Sequence, residues 1–117
     1  MEEVIMLAKL NRVHTPRDFQ RAMRKGRKAG SKNFVIYVTR NELEVTRFGY
    51  VVSKIVGNSV VRHTLSRKLR EVSREALVTL PTGFDVVVRA LAGSELLTSE
   101  EIRKQLAPTV ERIIKKL

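Results

Sequence analysis

The stretch from Gly57 to Leu80, GNSVVRHTLSRKLREVSREALVTL, constrains this chain more than any other segment. Val61, Leu65, Leu69, Val72 and Ala76 recur at spacings of four, four, three and four, which places them on one narrow stripe of a 3.6-residue helix. A helix with a single apolar stripe has to bury it, so the spacing predicts a helix lying on a core. Arg62, His63, Ser66, Arg67, Arg70 and Arg74 fall together on the adjoining face. Glu71 and Glu75 fall on a third sector, within i,i+3 and i,i+4 reach of Lys68 and Arg67, where they are expected to pair and leave the basic face open. Asn58 or Ser59 can cap the first turn.

Charged faces on amphipathic helices are usually no more than solvated, and here composition decides the matter. The 117 residues carry 23 Lys+Arg against 12 Asp+Glu, a formal net charge of +11. Such an excess in one small domain points to a polyanionic partner, nucleic acid before membrane. No apolar run approaches the roughly 20 residues of a spanning helix, and the basic helix lacks an aromatic anchor for a lipid surface. The length suits one domain over residues 1–117, and the absence of Cys rules out a disulfide framework or thiolate metal site. With no basic region ahead of the short apolar patch Val4 to Ala8, no secretory signal is expected, and the cytoplasm is the expected location.

In chain order, residues 1–13 read as an extended basic lead-in. Thr15-Pro16-Arg17-Asp18 supplies an N-cap, a proline at the first helical position and an acid at the third; Phe19, Ala22 and Met23 form the apolar face of the short helix that follows, and Gly26 ends it. KGRKAGSKN reads as a basic connection. Phe34 to Thr39 reads as a strand, Asn41 to Glu44 as a hairpin turn, and Arg47 to Lys54 as a second strand antiparallel to the first. After the central helix, Pro81-Thr82-Gly83 introduces a strand from Phe84 to Leu91. Thr98 and Glu101 then form a capping box for a last helix, with Ile102, Leu106, Val110, Ile113 and Leu117 on one stripe and a kink expected at Pro108. The expected fold is a small α+β sandwich, helix-strand-strand-helix-strand-helix, with helices packed on a small sheet.

Chemistry by the protein alone is not expected. His14 and His63 are the only histidines, and no local spacing brings them to one phosphodiester. The acids are scattered beside basic residues or in helix caps, which does not suit a two-metal nuclease.

Taken together, DFQRAMRKG, NFVIYV, RFGYVVSK and GNSVVRHTLSRKLRE resemble the protein subunit of bacterial ribonuclease P, in order and spacing from Asp18 to Arg70. Arg62, Arg67 and Arg70 carry over from the family's arginine-rich helix. His63, Thr64 and Ser66 stand where that helix has asparagine, arginine and lysine. Phe19 and Tyr37 match family aromatics, and Met23 replaces a third. The resemblance implies a left-handed βαβ crossover, against the usual right-handed rule. It also implies a role as the protein component of a ribonucleoprotein that removes 5′ leaders from precursor tRNA. Catalysis would then belong to the RNA subunit and its Mg²⁺, with no metal held by the protein alone. Arg62, His63, Arg67, Arg70 and Arg74 are the expected contacts to the RNA subunit, and Lys54 would touch phosphate or merely solvate a strand end. Phe19, Met23 and Tyr37 would line a cleft for the single-stranded leader, offering flat faces to unpaired bases. The partners implied are ribonuclease P RNA and precursor tRNA, with no membrane. The alternative is a ribosomal-type or chaperone RNA-binding protein with no role in tRNA processing.

Overall fold

The computed structural model describes residues 8–117. A 3₁₀ turn at Lys9–Asn11 leads into α1 (Pro16–Lys25), β1 (Arg27–Gly30), β2 (Phe34–Arg40), β3 (Arg47–Val51), α2 (Ser59–Ala76), β4 (Phe84–Ala90) and α3 (Ser99–Ile114). The helix starts follow their side-chain chemistry. The Thr15 hydroxyl accepts from the Asp18 amide at 3.1 Å, the Asn58 side chain accepts from the Val61 amide at 3.0 Å, and Thr98 with Glu101 completes a reciprocal capping box.

The sheet order is β1-β2-β4-β3, with β4 antiparallel to β2 and parallel to β3. The expected β2–β3 hairpin is therefore not formed, because β4 lies between the two strands. Residues 84–88 of β4 are buried without a break, which requires cover on both faces and a central place in the sheet. The turn itself exists: Asn41 Oδ1 accepts from the Leu43 amide at 2.7 Å. It redirects the chain without pairing its flanks, and α2 then serves as the crossover of a parallel β3-α2-β4 unit.

A second difference is β1. Residues expected to be a plain connection pair with β2 from Arg27 opposite Val38 to Gly30 opposite Val35. Arg27-Lys28-Ala29-Gly30 has no alternating apolar pattern because, as an edge strand, it is held by backbone bonds and buries almost no side chain. Part of the expected extended lead-in is a 3₁₀ turn, after which Arg12 bridges Phe48 and the Val13 amide donates to the Phe48 carbonyl at 2.9 Å along the β3 edge. The rest of that lead-in, residues 1–7, lies outside the described residues. β3 ends at Val51, so Lys54 stands in the turn before α2 rather than on a strand.

The main core lies on one face of the sheet, where Leu65, Leu69, Val72 and Ala76 of α2 and Ile102, Leu106, Val110 and Ile113 of α3 pack on Phe34, Ile36, Val38, Phe48, Val86 and Val88. Leu117, expected on the same stripe, lies past the helix and is 40% exposed. α3 runs on through Pro108, which stands on the exposed side of the helix together with Lys104, the residue whose carbonyl a proline leaves without its helical donor. On the other face, α1 buries Ala22 with Tyr37 and Val87 and packs Phe19 and Met23 beside them.

Candidate nucleic-acid interface

α2 presents its arginines as expected, and the reason they stay free differs. Glu71 and Glu75 do not pair along α2; that sector packs against α3. Glu71 accepts from the Ser99 hydroxyl at 3.2 Å, and Arg103 Nε donates to Glu75 Oε1 at 2.7 Å. The hydrogen bond from Arg103 holds the Glu75 carboxyl below the usual carboxylate range. Lys68, the expected partner of these acids, donates to the Leu97 carbonyl at 3.0 Å. Arg62, Arg67, Arg70 and Arg74 take part in no ion pair among the described residues. His63 and Arg67 are exposed, whereas Arg62, Arg70 and Arg74 lie half-buried.

A groove of about 330 Å³ runs across the β3 edge between α1 and α2. Val13, Phe19, Phe48 and Gly49 line its apolar part, and Arg12, His14, Tyr50, Ser66 and Arg70 its polar part. Gly49 is required there, since a Cβ at that position would lie 2.6 Å from Phe19 Cε1 and 3.0 Å from Val13 Cβ. Burial pushes the Tyr50 phenol well above its ordinary range, so it stays protonated and available as a donor. Among the described residues, its hydroxyl, the Ser73 hydroxyl and Arg12 Nε are buried without a hydrogen-bond partner. Arg12, His14 and Tyr50 were not singled out by sequence as site residues. The basic lead-in signalled the first two, but nothing local signalled that it docks on β3.

The three leader-cleft candidates do gather on one side of the molecule, and they divide. Phe19 reaches the groove, and Met23 packs half-buried beside it. Tyr37 is only 6% exposed and sits on the α1 face of the sheet, opposite the face that carries α2. His14 Nε2 lies 3.0 Å from the Lys9 carbonyl, and His63 stands on the exposed face of α2. Among the described residues there is no cluster of three or more His, Asp or Glu able to hold a metal, and no helix is long and apolar enough to cross a membrane.

Fold and surface together define a class, a small basic α+β domain whose free arginines and adjoining groove suit a phosphate backbone. Comparison with known proteins narrows it. The family model described as Ribonuclease P matches residues 7–114. A ribonuclease P protein component from Arthrobacter sp. (strain FB24) is 37% identical over 113 residues, covering 96% of this chain and 83% of that one. One from Rhodococcus opacus is 36% identical, covering 92% of each. Among solved structures, the ribonuclease P protein of Thermotoga maritima superposes with a TM-score of 0.80 at 28% identity, covering 87% of this chain and 99% of that one. This chain belongs to the ribonuclease P protein family.

Proposed function

We propose that this chain is the protein component of a cytoplasmic ribonuclease P, assisting the RNA-catalysed removal of 5′ leaders from precursor tRNA. The observation that carries this reading is the division of charge on α2. Both of its acids are engaged by α3, while Arg62, Arg67, Arg70 and Arg74 form no ion pair among the described residues, in a chain matched to the family over nearly its whole length. The RNA subunit, with its Mg²⁺, supplies the chemistry, and the protein supplies fixed positive charge. The α2 arginines and His63 meet RNA phosphates, Lys54 extends that surface from the turn before α2, and Phe19 and Met23 offer an apolar surface to the unpaired leader over the floor formed by Tyr37.

Fixed cations substitute for part of the counterion atmosphere that folded RNA otherwise draws from Mg²⁺. Adding the protein to a bacterial ribonuclease P RNA is therefore expected to raise precursor-tRNA cleavage most at low Mg²⁺. Absence of any stimulation there, with RNA binding intact, would point to an RNA binder of another kind.

A further inference from the structure

The sheet edge opposite the groove carries a second basic surface. β1 is the edge strand farthest from β3. The last turn of α3 lies along it, leaving a cleft of about 110 Å³ between Arg27, Lys28 and Ala29 on the strand, Arg112 and Ile113 on the helix, and Lys116 just past the helix end. Four of the six lining residues are cations and none is an acid. Some of this charge has an internal use. Arg27 Nη1 donates to the Lys116 carbonyl at 2.7 Å, and Arg40 Nη2 reaches a Leu117 main-chain oxygen at 3.5 Å, both tying down the segment just past the end of α3. A lysine on an edge strand also discourages strand addition.

Neither use accounts for Lys28, Arg112 and Lys116 standing together. All three are exposed, and none enters an ion pair among the described residues. Glu111, the acid next to Arg112 in sequence, is not part of the cleft wall. Cations converging on one cleft without an acid repel one another, and a polyanion relieves that repulsion.

We propose that the β1–α3 cleft is a second RNA-backbone contact, so that the domain holds two RNA segments at once, one along α2 and the other along β1. The inference rests on the RNA-binding reading above and adds a surface to it. Phosphate is the group the cleft suits, because its polar wall is all guanidinium and ammonium with no aromatic face for a base. A protein basic on both edges of its sheet can fix the spacing of two RNA segments, which a single arginine helix cannot do.

The chain contains no cysteine, so one can be introduced alone as the tether for an iron chelate that cleaves nearby RNA. With bacterial ribonuclease P RNA as the probe, Lys28→Cys and Arg67→Cys are each expected to cleave, at two different sets of nucleotides. The triple variant Lys28→Gln, Arg112→Gln, Lys116→Gln is expected to reduce the salt slope of RNA affinity by about 2 to 3, at roughly 0.9 or less per lost phosphate contact. Arg27 is left in place because it holds the segment after α3 through the Lys116 carbonyl. No cleavage from position 28 and an unchanged slope in the triple variant, with Arg67→Ala still lowering the slope, would overturn the second contact and leave the function standing. Unchanged slopes in both variants would overturn the RNA-binding reading itself, and the second contact with it.

Discussion

Arg47 grips Asp85 directly across the β3–β4 pair, with Nε on Oδ1 at 2.8 Å and Nη2 on Oδ2 at 2.7 Å. Asp85 is completely buried, and Arg47 keeps 15% of its side chain exposed. The same carboxylate accepts from Asn41 Nδ2 at 2.9 Å and lies 3.6 Å from Arg21, while Arg47 Nη2 also reaches Asp18 of α1 at 3.2 Å. This pair ties α1 to β3 and β4, and thereby sets where Phe19, next to Asp18, meets the groove. The guanidinium is held protonated more firmly than usual, chiefly by its hydrogen bonds to Asp85.

Asp85→Ala leaves a largely buried guanidinium without its main partner and is expected to cost about 3 to 5 kcal/mol. Asp18→Ala removes a partner that is 26% exposed and makes a single longer contact, and should cost under about 1 kcal/mol. Urea unfolding measures both. Equal losses would show that Asp85 is not the hub of this network.

Gly49→Ala is expected to destabilise by about 1 to 3 kcal/mol, because the new methyl collides with the Phe19 ring and the Val13 side chain. Much of that cost should disappear in the background of Phe19→Ala, where the ring is gone. Strict additivity of the two changes in a double-mutant cycle would mean that Phe19 does not sit on Gly49.

What was legible in the sequence was local. The apolar stripe of α2, the three helix caps and the capping box of α3 each depend on residues within a turn of one another, and the structure keeps them. What was not legible depends on partners far along the chain. β4 separates β2 from β3 although it follows both by more than thirty residues, and Glu75 finds Arg103 on α3 in preference to neighbours on its own helix. β1 is not legible in the sequence because an exposed edge strand writes no apolar alternation into it. For the site, the arginines were readable from helical phase. The burial of Tyr37 and the docking of Arg12 beside Phe48 follow from sheet order, which local pattern does not encode.

Acid should loosen the α2–α3 contact. Glu75 is held below its ordinary value of 4.5 by Arg103, and Glu101 is held below it by the Thr98 backbone amide. A carboxylate with a depressed folded-state pKa contributes stability that is fully present above its unfolded pKa and is lost as pH falls through the folded one. The melting temperature should therefore be level above about pH 5 and fall below it. Arg103→Met should flatten part of that fall, and added salt should do the same, because the Arg103–Glu75 pair is more than a third exposed. An unaltered acid profile in Arg103→Met would remove Glu75 as a contributor.

Replacing Arg62, Arg67 and Arg70 one at a time by Ala should shrink the salt slope of RNA affinity by about 0.7 to 0.9 per residue. The fold should survive, since none of the three lies on the buried stripe. Circular dichroism checks the fold, and a slope that does not move in any of the three would make the basic face a merely solvated one.

The leader reading separates a ribonuclease P component from a general RNA binder, and the different burial of Phe19 and Tyr37 decides how to test it. Phe19 is half-buried, with its ring on Gly49 and its free edge in the groove that also holds Arg70, so Phe19→Ala removes a surface that a base can stack on. Holoenzyme affinity for precursor tRNA with a leader of several nucleotides should fall by about 1 to 3 kcal/mol, as for one lost stack. Mature tRNA should hardly respond, and affinity for the RNA subunit should hold, because that contact is assigned to the charges of α2. Tyr37 cannot be treated in the same way. At 6% exposure it is packed with Ala22 and Val87, and truncation to Ala would open a cavity costing about 3 to 5 kcal/mol, confusing a binding loss with unfolding. Tyr37→Phe keeps the ring and removes only the hydroxyl, so it should leave the melting temperature and leader affinity close to those of the parent protein. Equal losses for leader-bearing and leaderless tRNA in Phe19→Ala, with an unchanged melting temperature, would show that the leader does not run past Phe19.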